Sequence, residues 1–441
     1  MSGRPMSYED AIARLGRALT FGINPSLDGI RTLAEALGRP QDSFRSVQVT
    51  GTNGKTSVTR MLGALLRAHG LPDGVYTSPH LVSYTERMEV GGRPLFQAEF
   101  ASALASVFDV ADRRPSHAGA ADPVTESTEF ELLTAAALVA FRERRVAWAC
   151  LEVGMGGRWD ATSVVDPSVA VITGVALDHT DRLGVTREEI AWDKAHIIKP
   201  GSMAVVGPGC AGVEHVFIER ALSVGAPLVH VGQGEDDVTW RVMRVPRTPG
   251  GELMLEVTGA HGRYRDLRLR APSYQAPNVA TAIAAAECAL GGPLESRATR
   301  EALAEIVFPG RFELLRDDPP LVIDGAHNPE AAGVLAKAIR EAFGDGLPVV
   351  VLGILRDKDV SGIVAALVPA AREIVCTENG SPRCLPAADL ASVVESLTGM
   401  FPLVEPDLGA AIMAAGVRSA EAGVVVTGSL YTAGAARGLF C

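Results

Sequence analysis

Apolar residues along the chain alternate between two rhythms. Compact apolar runs at Ser46–Thr50, Gly74–Thr77, Val146–Val153 and Ser168–Thr173 read as strands. Val58–His69, Gln97–Asp112 and Glu129–Arg144 carry apolar residues at helical spacing. Strands alternating with helices predict a parallel sheet covered on both faces. Before the first strand, residues 8–40 read as one or two helices around a loop at Gly22–Ser26. The stretch from Asp112 to Ser127, with Pro115, His117, Gly119 and Pro123, is a loop without an assignment. Between residues 228 and 270 the pattern becomes short polar–apolar alternation with turns at Gly232-Gln233-Gly234 and Pro249-Gly250-Gly251, which predicts an antiparallel insert. An alanine-rich helix, Asn278–Leu290, stops at Gly291-Gly292-Pro293. A second α/β rhythm then begins: strands at Leu321–Ile323, Pro348–Leu352, Glu373–Thr377 and Gly423–Thr427, and helices at Pro329–Phe343, Val360–Ala371 and Ala387–Leu397. A boundary near 305–312 divides the chain into domains 1–308 and 309–441.

Composition narrows the class. The chain has 441 residues, more than one ordinary core holds. With 47% hydrophobic and 21% charged residues it reads as a soluble globular protein, and a net charge of −11 argues against non-specific binding to nucleic acid. No apolar run is long enough to predict a membrane span. The six cysteines contain no CxxC pair, and Arg, Glu and Asp interrupt the N-terminal stretch, so no signal peptide is expected and a reduced, cytoplasmic setting is.

The first predicted strand ends in Gly51-Thr52-Asn53-Gly54-Lys55-Thr56-Ser57, and a helix follows. Glycines let backbone N–H groups approach an anion, and the helix N-terminus adds partial positive charge. Lys55 reaches terminal phosphates and a hydroxyl meets a metal ion. This predicts a nucleoside triphosphate site. Only Thr52 and Asn53 separate the two glycines, fewer than in the usual P-loop, so the loop is a shortened variant. Other predicted strands also end in polar groups, where ligands sit in parallel α/β sheets. Ser78 follows one, Glu152 ends another ahead of Gly154-Met155-Gly156-Gly157-Arg158, and Asp178-His179 follows a third. A hydroxyl, a carboxylate and an imidazole at neighbouring strand ends suggest a divalent cation, with oxygen donors favouring Mg²⁺ and His179 the least typical ligand. Each residue also has a plainer use: Glu152 as a helix cap, His179 as a hydrogen-bonding histidine, Ser78 as a turn residue before Pro79.

Together these segments resemble the folylpolyglutamate synthase/dihydrofolate synthase family of the Mur ligase superfamily. The shortened loop matches. So do Tyr76-Thr77-Ser78-Pro79-His80-Leu81 with Glu86-Arg87, Leu151 through Thr162, and Asp178-His179 through Lys194. Pro309-Gly310-Arg311-Phe312-Glu313, Asp324 through Pro329 and Gly428-Ser429-Leu430-Tyr431 match in the C-terminal half. The resemblance covers nearly the whole chain in order. It implies an N-terminal P-loop-type ATPase domain with a mostly parallel sheet and a small antiparallel insert, plus a C-terminal Rossmann-like α/β domain. It also implies ATP-dependent addition of L-glutamate to a folate or dihydropteroate carboxylate through an acyl phosphate. By the same resemblance Thr52 to Ser57, Asn278, Arg311 and Asp324 hold the nucleotide, with Thr56 or Ser57 meeting the metal. Ser78, Glu152 and His179 form a Mg²⁺ site with Lys194, a lysine carbamylated in the family, and His327 and Ser429 lie near the incoming glutamate. A monomer acting on small molecules, without nucleic acid or membrane partners, is implied. The chain departs from the family pattern at His196, where glycine is usual, and at Tyr274, where histidine is usual.

Two other readings remain: a P-loop NTPase or phosphotransferase without ligation, and a paralogue using another acid. Lys55 is central to all three, because phosphate charge needs a cation. Lys55→Ala should lower nucleotide-dependent turnover by about a hundredfold or more with an unchanged circular dichroism spectrum. Near-normal turnover would remove Lys55 from the chemistry.

Overall fold

The computed structural model describes residues 6–18, 25–113, 127–419 and 421–440. Most of the Asp112–Ser127 loop, His117 included, and most of the Gly22–Ser26 loop lie outside them. The chain divides into two compact units. One comprises Met1–Trp240, Val257–Tyr264 and Pro277–Leu303; the other comprises Arg241–Glu256, Arg265–Ala276 and Ala304–Cys441. The strands of the insert are thus shared between the two units.

The first unit holds β1 (Arg45–Thr50), β2 (Asp73–Tyr76), β3 (Met88–Val90), β4 (Arg93–Pro94), β5 (Trp148–Glu152), β6 (Val169–Gly174), β7 (Met203–Gly209) and β8 (Leu228–His230). They form one sheet in the order β4-β3-β2-β5-β1-β6-β7-β8. β3 pairs antiparallel with β2 and with β4, and the remaining pairs are parallel. Five of the six β1 residues are buried, as the continuous apolar run predicts for a strand covered on both faces. Val49 stands opposite Glu152 on one side and Val171 on the other. The carboxyl ends of β5, β1 and β6 therefore lie level.

Among the described residues ten α-helices lie along the same stretch of chain: α1 (Tyr8–Ala18), α2 (Asp28–Ala36), α3 (Lys55–Ala68), α4 (Gln97–Asp112), α5 (Glu129–Glu143), α6 (Thr180–Leu183), α7 (Arg187–Ala195), α8 (Glu214–Val224), α9 (Ala276–Leu290) and α10 (Ser296–Ala304). One apolar core joins α1, α2, α4 and α5 through Leu15, Leu33, Phe100, Phe108 and Phe141. Another joins β6, α7 and α8 through Ile172, Ile190 and Phe217. The sheet sits tightly between its helices: a Cβ on Gly63 of α3 would strike Val75, and one on Gly74 would lie 2.7 Å from the Phe141 ring of α5.

Two sequence expectations are corrected. Leu228–His230 belongs to this sheet, pairing parallel with Ala204–Val206, so the insert starts later than 228. It consists of β9 (Thr239–Arg244), β10 (Glu252–Thr258) and β11 (Arg263–Arg270), with Gly259 N–H donating to the Gly262 carbonyl in the β10–β11 hairpin. The cradle helix begins at Lys55 rather than Val58, because Gly54 takes the left-handed conformation (φ 83°) that lets the chain turn directly into it.

The second unit holds β12 (Glu313–Asp317), β13 (Pro320–Ile323), β14 (Val349–Leu352), β15 (Glu373–Cys376), β16 (Leu403–Val404) and β17 (Val424–Thr427), in the order β12-β13-β17-β14-β15-β16. Only β12 runs antiparallel. Its helices are α11 (Pro329–Phe343), α12 (Val360–Leu367), α13 (Ala387–Thr398), α14 (Leu408–Ser419) and α15 (Leu430–Gly438). Leu335, Ile339, Val350, Ile363, Leu367 and Leu390 fill a core between α11, α12, α13 and the sheet. Among the described residues no helix is long and apolar enough to cross a membrane.

The Gly74–Phe141 contact gives a stability test. Gly74→Ala overpacks a closed interface, which should cost about 1–3 kcal/mol and lower the melting temperature in calorimetry. An unchanged melting temperature would contradict this packing.

Candidate active site

β1 delivers its last residues into a loop fastened from two sides. A side chain at Gly51 would collide with Thr173 at the end of β6, so the backbones approach closely only because Gly51 has none. Thr52 N–H donates to the Gly174 carbonyl at 2.9 Å, the Thr52 hydroxyl bridges the Ala176 carbonyl and N–H, and Thr173 Oγ1 donates to the Asn53 carbonyl at 2.6 Å. On the other side a Cβ on Gly54 would stand 2.7 Å from Asn278 Oδ1, in the first turn of α9. The structure therefore places Asn278 against the cradle glycine Gly54.

Two ammonium groups meet inside this loop. Lys55 Nζ donates to the carbonyls of Gly51 (2.9 Å) and Thr52 (3.1 Å). Lys194 Nζ reaches the same Gly51 carbonyl at 3.1 Å from α7. Lys194 is 3% exposed, and burial, reinforced by the Lys55 charge, pulls its pKa from 10.5 to about 7. Although α7 also carries charged residues, Lys194 is not one of its solvated side chains.

Thr56, rather than Ser57, faces the carboxylate at the end of β5. Its hydroxyl donates to Glu152 Oε1 at 2.9 Å, and Ser78 N–H donates to Glu152 Oε2 at 3.2 Å, while Ser57 is buried in α3. Glu152 is 1% exposed. The glycine-rich turn after it is held by two carboxylates: Asp160 accepts from Met155 N–H, Thr162 N–H and the Thr162 hydroxyl, and Asp193 accepts from Gly157 N–H at 2.9 Å. Gly156, at φ 67°, leaves room for Asp193. His179 heads α6 in the left-handed conformation, with its N–H on Asp178 Oδ1 and its ring Nε2 4.0 Å from that oxygen. His196, the bulky departure, bonds back to the Trp192 carbonyl at 2.8 Å and packs edge-on against the Trp192 ring. Among the described residues no three His, Cys, Asp or Glu side chains form a metal cluster. The Thr56 hydroxyl and the Glu152 carboxylate, which do meet, are oxygen groups that suit a hard divalent cation, and Ser78 comes to the same carboxylate through its backbone N–H.

In the second unit Asp324, just beyond β13, is buried. One oxygen accepts from Ala326 N–H (2.8 Å), the other from Phe312 N–H (2.8 Å) and the Tyr274 hydroxyl (3.4 Å). Burial raises its pKa and the Arg311 guanidinium opposes that shift. Phe312 has φ 51°, a conformation most residues avoid, and the Asp324 bond holds it there. Arg311 donates to the Gly310 carbonyl, and a Cβ on Gly325 would stand 2.6 Å from Arg311 Nη1, so the guanidinium lies across that glycine. Tyr274, the second departure, is a protonated donor whose pKa burial raises well above 10. His327 Nδ1 bonds the Gly325 carbonyl at 2.8 Å, which places its hydrogen on Nδ1. Ser429 caps α15 through Thr432 N–H. The sequence reading missed Asn379, whose amide bonds both Ser429 and Thr432. Its one signal was its place just after the strand at 373–377.

Against known proteins, residues 49–286 match the Mur ligase middle domain and residues 310–430 the Mur ligase glutamate ligase domain. The chain is 37% identical over 451 aligned positions to a dihydrofolate synthase/folylpolyglutamate synthase of Mycobacterium tuberculosis, covering 95% of this chain and 90% of that protein. The crystal structure of the M. tuberculosis folylpolyglutamate synthase with ADP and AMPPCP aligns with TM-score 0.88 at 37% identity over 98% of this chain and 99% of that one. The bifunctional synthase of Yersinia pestis, complexed with AMPPNP and a manganese ion, aligns with TM-score 0.83 at 30% identity over 99% of both chains.

The depressed pKa of Lys194 has a measurable consequence. Between about 7 and the ordinary value of 10.5 the unfolded chain holds a proton that the folded chain has released, so stability rises with pH across that window. Below it Lys194 is charged in both states and the burial penalty stays in full. Lys194→Met should flatten the rise in chemical-denaturation midpoints; an identical slope in both proteins would contradict it.

Proposed function

The chain belongs to the folylpolyglutamate synthase/dihydrofolate synthase family of the Mur ligases, and from that membership we propose that it joins L-glutamate to the carboxylate of a folate or dihydropteroate at the expense of ATP. The observation that carries the reading is the meeting of Thr56 and Ser78 on the buried Glu152 carboxylate, beside a loop into which Lys55 turns its ammonium. That is equipment for handling phosphate charge and a cation at once.

In the proposed reaction a carboxylate oxygen of the acid attacks the γ-phosphorus of ATP and ADP leaves. The amino nitrogen of glutamate then attacks the acyl carbon, the C–O bond to phosphate breaks, and the amide forms as the nitrogen gives up a proton. Negative charge on the transferring phosphoryl group builds beside the cradle. Lys55 exchanges its carbonyl partners for phosphate oxygens and meets that charge where it develops. Thr52 to Ser57 and Asn278 hold the phosphates, and Arg311 and Asp324 contact the nucleotide. Thr56, Glu152, Ser78 and His179 would hold Mg²⁺, which when bound neutralises charge on the phosphates. We assign Lys194 a carbamate: at a pKa of about 7 a large share of its amine is unprotonated near neutrality, and the neutral amine can add carbon dioxide with release of a proton, which would put oxygen donors for the metal in place of a repelling ammonium. His327 and Ser429 serve the glutamate side.

Lys194→Ala should lose about a hundredfold or more in kcat and regain part of it with added acetate, which supplies the missing carboxylate. A fully active variant would end the carbamate assignment. The function itself is tested by ADP release with ATP, Mg²⁺ and L-glutamate, with dihydropteroate and tetrahydrofolate in separate reactions and product masses read by mass spectrometry. Release that requires both an acid and glutamate, with a product heavier by one glutamyl residue, is expected. ADP release indifferent to both would identify an NTPase without ligation.

A further inference from the structure

Three neighbouring parallel strands of the second unit end together: β17 at Thr427, β14 at Leu352 and β15 at Cys376. One carboxamide ties the loops beyond them. Asn379 Nδ2 donates to Ser429 Oγ at 3.1 Å and to Thr432 Oγ1 at 3.0 Å, while its Oδ1 accepts from Ser381 N–H at 3.1 Å.

The hydrogens can be followed through the network. The Thr432 hydroxyl donates to the Gly353 carbonyl at 2.6 Å. With that hydrogen committed, the 2.8 Å contact between Ser429 and Thr432 runs from Ser429 to Thr432. Ser429 Oγ also accepts from Thr432 N–H at 3.0 Å. Each hydroxyl then has its one donor and two acceptor positions filled. This also fixes the amide, since the flipped carboxamide would face two hydroxyls with no hydrogen to give it. Ser429 and Thr432 are buried. The packing around them admits no side chains: a Cβ on Gly353 would stand 2.9 Å from Thr432 Oγ1, and one on Gly428 would stand 2.6 Å from the Gly353 carbonyl oxygen.

A serine hydroxyl with every position filled is a fastening. We propose that Asn379 is a positioning residue for the glutamate side of the reaction, locking Ser429, the first turn of α15 and the Gly428–Ser429 main chain into one arrangement at the strand ends. Ser429 then acts on glutamate through the backbone it fixes. This rests on the glutamate-ligase reading above.

Asn379→Asp keeps the shape and replaces the shared donor with an acceptor; Asn379→Ala removes the group and carries the same comparison should the first variant not fold. Steady-state kinetics should show KM for glutamate raised about tenfold or more in Asn379→Asp and by a smaller factor in Asn379→Ala, with KM for ATP within about twofold of the parent. A KM for glutamate within twofold of the parent overturns the proposal. So does a rise in both KM values in the same proportion, which is the mark of a merely structural role. Failure of the parent protein to incorporate glutamate would instead remove the ligase reading, and would be seen before any variant is made.

Discussion

The first unit depends on how closely the backbone of Gly51 approaches the end of β6. Only a residue without a side chain fits against Thr173, and that contact turns the Gly51 carbonyl into the loop, where both Lys55 and Lys194 find it. Two ammonium groups on one carbonyl repel each other, and burial leaves little water to screen them. The arrangement settles by releasing a proton from Lys194 more easily than a solvated lysine would. An anion entering the loop competes for the Lys55 ammonium, with the N-terminus of α3 already facing it. The backbone geometry, the lysine pair and the proposed phosphate chemistry are one arrangement seen at three scales.

Glu152 plays the matching part on the side where a metal ion is proposed. Its place follows from register, since its pairing with Val49 sets it level with the loop. Two further carboxylates, Asp160 and Asp193, spend their hydrogen-bonding capacity on the glycine-rich turn. Three acids thus divide the work: Glu152 meets the hydroxyl and N–H of Thr56 and Ser78, and the other two hold the main chain that follows it.

Much of this was legible in the sequence because it is local. The cradle, the strand ends at Glu152 and Asp324 and the alternation of strand and helix are carried by adjacent residues. What was illegible depends on residues distant in sequence. Nothing near Lys194 indicates that its amine ends on Gly51, 143 residues earlier in the chain, because that contact is made only when α7 packs beside the loop. Leu228–His230 was misread because three residues at a sheet edge look alike in parallel and antiparallel pairing. Asn379 escaped notice because Asn-Gly-Ser-Pro is also an ordinary turn, and only the packing of β14, β15 and β17 gives its amide two hydroxyls to hold.

The proposed chemistry turns on one order of events: the acid carboxylate takes the phosphoryl group before glutamate attacks. The most direct measurement follows oxygen from an acid substrate labelled with oxygen-18 at both carboxylate oxygens. If the account is right, each phosphate released carries one labelled oxygen, the one that bridged carbon and phosphorus and left when the amide formed. Phosphate free of label would mean that water takes the phosphoryl group directly, and would contradict the account.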